Sequence, residues 1–350
     1  MYEGTCNVLG LMSGTSLDGM DAALVQFSNT AGLKWELLET YSFDYPAALK
    51  QLVIKTFSES DLLPQTNVAF ADWTSQCVEK VKSQTGHTID LISSHGQTIF
   101  HEPQIKFTHQ AGCLPSIATQ CSIPLVTDFR IQDVLLGGQG APLVPMGDHL
   151  LFGGYEAALN LGGFANASIG DPILGKGVMH AFDICPVNYV LNRLASEEGL
   201  EFDEGGNLAA SGSINEWVLD ELNSLVFYEE NPPKSLGAEW VEKHVFNKID
   251  YLNSRDALAT FCEHVAMQIG KILRGKTVLV TGGGARNTHL MKRIREWGVD
   301  PVLPENEIIE FKEAIIFALL GYLRFTGKNN VLGRTTGSGK NHSSGKVFWP

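Results

Sequence analysis

Apolar positions along this chain keep two rhythms, short unbroken runs and longer stretches with apolar residues three and four apart, which predict buried strands interleaved with core-facing helices. Val8–Met12 is such a run. It enters Ser13-Gly14-Thr15-Ser16-Leu17-Asp18-Gly19 and resumes as Asp21–Phe27, reading as strand, glycine turn and strand with hydroxyls at the tip. Trp35–Phe43 gives another strand. From Asn67 onward, Phe70, Trp73, Cys77, Val78 and Val81 recur at helical spacing until Gly86 stops them, so an amphipathic helix is expected there. Ile89–Ser93 predicts a buried strand ending at Ser94-His95-Gly96-Gln97-Thr98. A short helix near 116–121 and a strand over 124–127 follow, and this alternation indicates an α/β sheet.

The Gly/Pro-rich passage Gly137–Pro142 is placed as the crossing between two domains. Beyond it, Ala157–Leu161 runs into Gly162-Gly163-Phe164-Ala165-Asn166 and returns through Ala167–Ile169. The second half thus opens as the first does, a hint of duplicated architecture. Helices are expected over 188–198, 214–225, 256–273 and 307–325. Between the last two, Thr277–Val280 reads as a strand that passes through Thr281-Gly282-Gly283-Gly284-Ala285-Arg286-Asn287 into a helix carrying Leu290, Met291 and Ile294. The expected domains are 1–130, joined by the tail 336–350, and 131–335.

Composition narrows the function. A chain of 350 residues with 44% hydrophobic residues can bury two cores, and no apolar stretch approaches the roughly 20 residues of a membrane span. The first residues carry no basic segment before an apolar one, so a cytoplasmic address is expected. Six cysteines, Cys6, Cys77, Cys113, Cys121, Cys185 and Cys262, show no Cys-x-x-Cys spacing and read as reduced thiols. A net charge of −13 disfavours nucleic acid as a partner. An anionic ligand would have to be held by local backbone amides and helix N-termini rather than by the overall field.

Three glycine turns offer such amides: Gly14–Gly19, Gly162–Asn166 and Gly282–Asn287. A single glycine turn is usually only a tight connection. Three of them, each leaving a predicted strand and carrying hydroxyl or amide side chains, favour nucleotide binding. A dinucleotide fingerprint fails because Asn287 stands where its third glycine belongs, and a P-loop fails because Arg334 and Asn341 flank Gly339-Lys340 at two required positions. The expectation is one hairpin for the β- and γ-phosphates, a second facing it, and a third loop for adenosine.

Several uncommon strings then carry a resemblance over nearly the whole length. They are Gly10–Asp21, Ser94–Thr98 with His101 and Pro103, Asp128-Phe129-Arg130 with Asp133, Gly137–Leu143, Leu159–Asn166, Phe182-Asp183, Pro232–Ser235 and Gly282–Asn287. With these the chain resembles the anhydro-N-acetylmuramic acid kinase family. The resemblance implies a two-domain α/β fold of the actin/hexokinase-like type, a duplicated ribonuclease H-like arrangement with an interdomain cleft. It implies ATP with Mg²⁺ and an amino sugar as small-molecule partners. The activity implied is water-driven opening of the 1,6-anhydro bond of 1,6-anhydro-N-acetylmuramic acid, coupled to phosphoryl transfer from ATP to O6 in cell-wall sugar recycling. The sequence leaves a homodimer open.

Residue by residue, Asp183 matches the family's base, with capping of the helix near Asn188 as its ordinary alternative. Gly14, Thr15, Ser16, Leu17, Asp18, Gly19, Met20 and Asp21 would line the terminal phosphates, and Asp18 would reach Mg²⁺ through water. Gly162, Gly163, Asn166, Gly282, Gly283, Gly284 and Asn287 would hold the rest of the nucleotide. Arg130 suits an anionic sugar substituent because its fork binds carboxylates bidentately, against an ion pair with Asp128 or Asp133. His95 and Glu313 match substrate-contacting positions; the plain alternatives are a structural histidine and a solvated helix face.

Two departures stand out. Asp183 is followed by Ile184-Cys185-Pro186-Val187-Asn188 where the family usually has Thr-Gly-Pro-Gly-Asn, and Gln110-Ala111-Gly112-Cys113-Leu114 replaces a Gln-Ile-Gly-Asp-Gly-like turn. Val187 would be strained if that position required positive φ. These changes keep two alternatives in play, a kinase of another amino sugar and a nucleotide-binding homologue without catalysis; the nearness of Cys185 and His180 in sequence adds a third, a cysteine hydrolase.

Overall fold

The computed structural model describes residues 4–14, 17–29, 32–170, 179–232 and 234–350. The chain forms two compact units, Met1–Leu151 with Phe311–Pro350, and Phe152–Glu310.

In the first unit Cys6–Ser13 (β1), Gly19–Ser28 (β2) and Lys34–Asp44 (β3) form an antiparallel meander. Leu91–Ser94 (β4) runs parallel to β1 on its other side. Gln97–Glu102 (β5) and Phe107–Ala111 (β6) leave the sheet as a separate hairpin, and Leu125–Thr127 (β7) returns parallel to β4. Successive side chains of a strand point to opposite faces, so β1 needs cover on both. Leu9 and Leu11 pack in one core with Phe70, Trp73, Cys77 and Val81 of the helix Leu63–Gln84. On the other face Gly10 meets the helix Asn306–Phe325 so closely that a Cβ would overlap the Ala314 carbonyl. Ser93 Oγ donates to the Phe317 carbonyl of the same helix at 2.5 Å.

In the second unit Ala157–Leu161 (β8), Phe164–Gly170 (β9) and Met179–Pro186 (β10) repeat the antiparallel meander. Thr277–Thr281 (β11) lies parallel to β8, and Asp300–Val302 (β12) parallel to β11. Phe261, Val265, Ile269 and Leu273 of the helix Ser254–Leu273 fill the core with Leu159, Val278 and Val280. Lys346–Phe348 (β13) then closes the first sheet antiparallel to β7. The sheets read β13-β7-β4-β1-β2-β3 and β10-β9-β8-β11-β12. Each therefore has three antiparallel strands in the order third, second, first, followed by two parallel ones. The same topology occurs twice with no repeat of identities, which makes the duplication hinted at by the two glycine hairpins an architectural fact.

The units divide at 151/152 and 310/311, whereas the sequence reading put the crossings at 130/131 and 335/336. Gly137–Pro142 looks like a linker only by composition. Gly140 N donates to buried Asp133 Oδ2 at 2.7 Å and Thr336 Oγ1 to Oδ1 at 2.6 Å, while a Cβ on Gly138 would overlap that carboxylate. The passage is thus knotted to the C-terminal return inside one unit. Among the described residues no helix is long and apolar enough to cross a membrane.

Candidate active-site residues

A polar row crosses the second sheet. Asp183 on β10 is the register partner of Asn166 on β9, Asn166 of Asn160 on β8, and Asn160 of Thr281 on β11. Register partners share a face, and strands lie about 4.8 Å apart, so the row spans roughly 14 Å. Asn160 and Thr281 are candidates that the motif reading did not single out. Asn166 is exposed, whereas the Thr281 hydroxyl is buried and without a hydrogen-bond partner among the described residues. An orphaned hydroxyl at a strand end beside a glycine turn suits a ligand oxygen.

Asp183 itself is braced by backbone. Its N–H donates to the Lys234 carbonyl at 3.1 Å, and Leu236 N donates to its Oδ2 at 2.8 Å. Between Asp183 and Cys185 the β9 pairing slips by one residue, a bulge of the kind that re-aims a side chain at a sheet edge. Burial raises the carboxyl above the ordinary aspartate value, with the Leu236 bond pulling it back. The helix Asn188–Ser196 is preceded by Val187 at its cap, so Asp183 does not cap it.

The unusual run after Asp183 is explained by packing. Ile184, Cys185 and Val187 are all buried in the core of the second unit. Val187 has φ −134°, so positive φ is not required there, and its N–H bonds the Gly163 carbonyl at 2.8 Å. Burial pushes the Cys185 thiol well above its ordinary value, the reverse of what a nucleophile requires, so the Cys185 hydrolase alternative falls. The second departure is also structural. At Gly112, φ is +85° and a side chain would collide with the Phe70 ring, while burial pushes the Cys113 thiol up to about 12.

The glycine turns of this unit divide into two kinds. A Cβ on Gly282 would lie 2.6 Å from Asn160 Oδ1 and 2.9 Å from the Leu161 carbonyl carbon, and one on Gly284 would lie 2.8 Å from Leu161 Cβ. Those two glycines serve protein packing. Gly163 and Gly283 have room for a Cβ, which would meet nothing nearer than Tyr189 at 3.9 Å and Asn188 at 3.8 Å. Asn287 Oδ1 caps the helix Thr288–Glu296 by accepting from Leu290 N at 2.9 Å, so that oxygen, expected on the nucleotide, is occupied structurally.

In the first unit the β1–β2 turn contains Gly14–Asp18; Thr15 and Ser16 lie outside the described residues. Leu17 and Met20 are core side chains, so only their backbone is available to a ligand. Leu17 adopts φ +56°, and Gly19 is tight against the Phe43 carbonyl. Asp18 is exposed. Asp21 Oδ1 accepts from Ser42 Oγ at 2.8 Å, and burial followed by the Asp18 charge raises its carboxyl. Exposed Asp18 and half-buried Asp21 beside this turn supply carboxylate oxygens, the kind of donor Mg²⁺ takes.

The sidewise adjacency of β4 and β7 brings His95, just past β4, beside Arg130, three residues past β7. Arg130 Nε donates to His95 Nε2 at 2.9 Å, and NH1 donates to the Gly140 carbonyl at 2.7 Å. Burial lowers Arg130 to about 10, with Glu313 opposing, so it stays charged at neutral pH. The ion pairs considered for it are engaged elsewhere: Asp128 pairs with Lys346 at 2.7 Å, and Asp133 holds Gly140 and Thr336. Solvent reaches the Glu313 side chain, yet surrounding protein strips enough water to raise its carboxyl, Lys312 and Arg130 working against the rise. Lys312 is buried with Asp148 at 3.1 Å, a pair that fixes this turn of helix and that sequence inspection missed.

The twice-repeated strand order, the open glycine turns and the braced carboxylate define a nucleotide-using protein of the actin/hexokinase-like class. The family model for anhydro-N-acetylmuramic acid kinase matches residues 6–350. Curated relatives bearing that name include one from Pseudomonas putida, 36% identical over 91% of this chain and 93% of its own. Others are from Synechococcus, 33% identical over 95% and 97%, and Vibrio parahaemolyticus, 33% identical over 97% of each. The chain belongs to the anhydro-N-acetylmuramic acid kinase family.

Proposed function

We propose that this chain hydrolyses the internal 1,6-anhydro bond of 1,6-anhydro-N-acetylmuramic acid while transferring the γ-phosphoryl group of ATP to O6. The products are N-acetylmuramic acid 6-phosphate and ADP. The observation that supports it best is Asp183, a carboxylate aimed by a bulge, held through one oxygen by Leu236 N–H, and raised by burial toward the range of a working base. In this reading Asp183 Oδ1 takes a proton from water as the water oxygen bonds the anomeric carbon. The bond from that carbon to O6 breaks, and O6 bonds the γ-phosphorus as ADP departs, so every atom is accounted for.

Gly163 and Gly283 offer uncrowded backbone to the nucleotide, with Gly162 tighter against Asn160, and Asn166, Asn160 and Thr281 offer polar groups beside it. The β1–β2 turn, including Thr15 and Ser16, is assigned to the terminal phosphates. Mg²⁺, held near Asp18 through water, would neutralise charge on the phosphates when bound. Arg130 takes the sugar's carboxylate, with Glu313 on a neighbouring sugar group. The proposed address is the cytoplasm, where ATP is available. Nothing in the packing of residues 184–187 favours a different amino sugar, because their side chains are spent in the core.

Incubation with ATP and the anhydro sugar in isotopically labelled water should give ADP, the sugar 6-phosphate and label at C1. ADP release without a sugar phosphate would reject the proposal, and label at O6 would reject the assigned bond cleavage.

A further inference from the structure

His95 is buried to 3% exposure and locked on several sides. Its N–H donates to the Leu11 carbonyl of β1 at 3.0 Å, and its ring lies 4.7 Å from that of Phe317. It precedes Gly96, whose φ of +74° and tight fit against the Ala111 carbonyl fix the turn. Because Nε2 accepts the Arg130 Nε–H, that nitrogen carries no proton and the ring is the neutral tautomer protonated on Nδ1. Burial and the adjacent guanidinium both hold the imidazole far below its ordinary value, so the ring stays uncharged near neutrality. Nε2 is taken by Arg130, while Nδ1 is buried without a hydrogen-bond partner among the described residues.

We infer that His95 is a positioning residue: with Gly140 it takes the Nε and one NH1 donor of Arg130, and so leaves the NH1/NH2 end of the fork for the substrate's carboxylate. This rests on the reading of Arg130 given above. The geometry behind it is simple. A guanidinium has five donors in one plane; two are satisfied by fixed protein acceptors, and three remain, one on NH1 and two on NH2, enough for an end-on pair. Preorganisation of this kind gives selectivity for a planar two-oxygen anion over a hydroxyl at the same place.

The test measures Kd for 1,6-anhydro-N-acetylmuramic acid and for its lactyl-free counterpart, 1,6-anhydro-N-acetylglucosamine, in wild type, His95→Ala, His95→Gln, Arg130→Ala and the double alanine variant. Loss of a charge-assisted hydrogen bond predicts that His95→Ala lowers the preference for the carboxylate-bearing sugar about tenfold or more, with ATP affinity unchanged. His95→Gln, which keeps an acceptor for Nε–H, should recover part of that preference. In the Arg130→Ala background, His95→Ala should change it no further. An unchanged preference in folded His95→Ala, with Arg130→Ala abolishing it, overturns the role of His95 alone. An unchanged preference in Arg130→Ala overturns the reading of Arg130 instead. If His95→Ala does not fold, the glutamine variant decides: full loss of preference despite native melting argues against an acceptor role.

Discussion

Leu236 donates its backbone N–H to Asp183 Oδ2 at 2.8 Å, so the orientation of the proposed base depends on a segment 53 residues downstream as well as on the bulge in its own strand. Burial raises this carboxyl. A carboxyl raised in the folded state favours folding in its protonated form, so its contribution is full below the unfolded value of about 4 and is lost as pH rises through the folded one. Asp183→Asn, always neutral and still able to accept from Leu236, should therefore melt no lower than wild type at about pH 8. Its turnover should fall by roughly 10²–10⁴, the usual contribution of a general base. Melting curves and turnover measured together check this, and near-normal turnover would remove Asp183 as the base.

A related prediction concerns the acid limb of the rate profile. If Asp183 must be ionised to act, kcat/KM for the sugar should fall at a pH above the ordinary aspartate value of 3.8, because burial is the leading influence on it. Replacing the sugar-coupled assay by ATP-analogue binding should remove this limb. A limb equally present in analogue binding would place the titrating group elsewhere.

The first meander, the parallel strands β4, β7 and β11 and the longest helices are legible from periodicity, because apolar runs such as Val8–Met12 and the spacing Phe70–Trp73–Cys77 are dictated by burial on identifiable faces. β10 is not legible. His180, Asp183 and Pro186 interrupt its apolar residues, and the strand bends at a bulge, so the pattern names no strand there although the stretch carries the proposed base. The motifs do indicate Asp183, Arg130 and His95 as residues. What they hide are the partners: Leu236 acts through a backbone N–H that leaves no side-chain signal, and His95 meets Arg130 only because β4 and β7 are neighbours.

The glycines of the 282–284 turn should separate into two classes on substitution. Gly282, at φ +84° and facing Asn160 and Leu161, and Gly284, facing Leu161, have no room for a methyl. Alanine at either should cost about 1–3 kcal/mol of stability. Gly283→Ala has space and should melt like wild type while weakening ATP binding. Equal losses of melting temperature in all three would show the open face of Gly283 to be irrelevant to nucleotide.

Cys185→Ser tests whether the departure after Asp183 is chemistry or packing. The side chain is fully buried in an apolar cluster, and a hydroxyl placed there without a partner should cost about 1–3 kcal/mol. Below the lowered melting temperature, kcat should match wild type, since a thiol pushed up by burial does no nucleophilic work. Loss of activity in a variant that is still folded would restore a role for sulfur.

Asp133 links stability to sugar binding through one loop. Its carboxylate is fully buried and accepts from Gly140 N and Thr336 Oγ1, and the carbonyl of that same Gly140 receives Arg130 NH1. Asp133→Ala would strand two buried donors and open space beneath Gly138, so a loss of about 2–4 kcal/mol is expected. Thr336→Val removes one donor and keeps the shape, leaving the Gly140 bond intact; it should cost about 1–2 kcal/mol and leave sugar KM nearly unchanged. Asp133→Asn retains an acceptor for Gly140 but presents an amide where Thr336 donates, and it should resemble the threonine variant rather than the alanine one. The distinguishing outcome is therefore in KM: only the change that frees Gly140 should raise sugar KM, because only that change loosens the carbonyl on which the guanidinium rests. A rise in KM shared by all three variants would trace the effect to general softening of the unit instead of to Gly140.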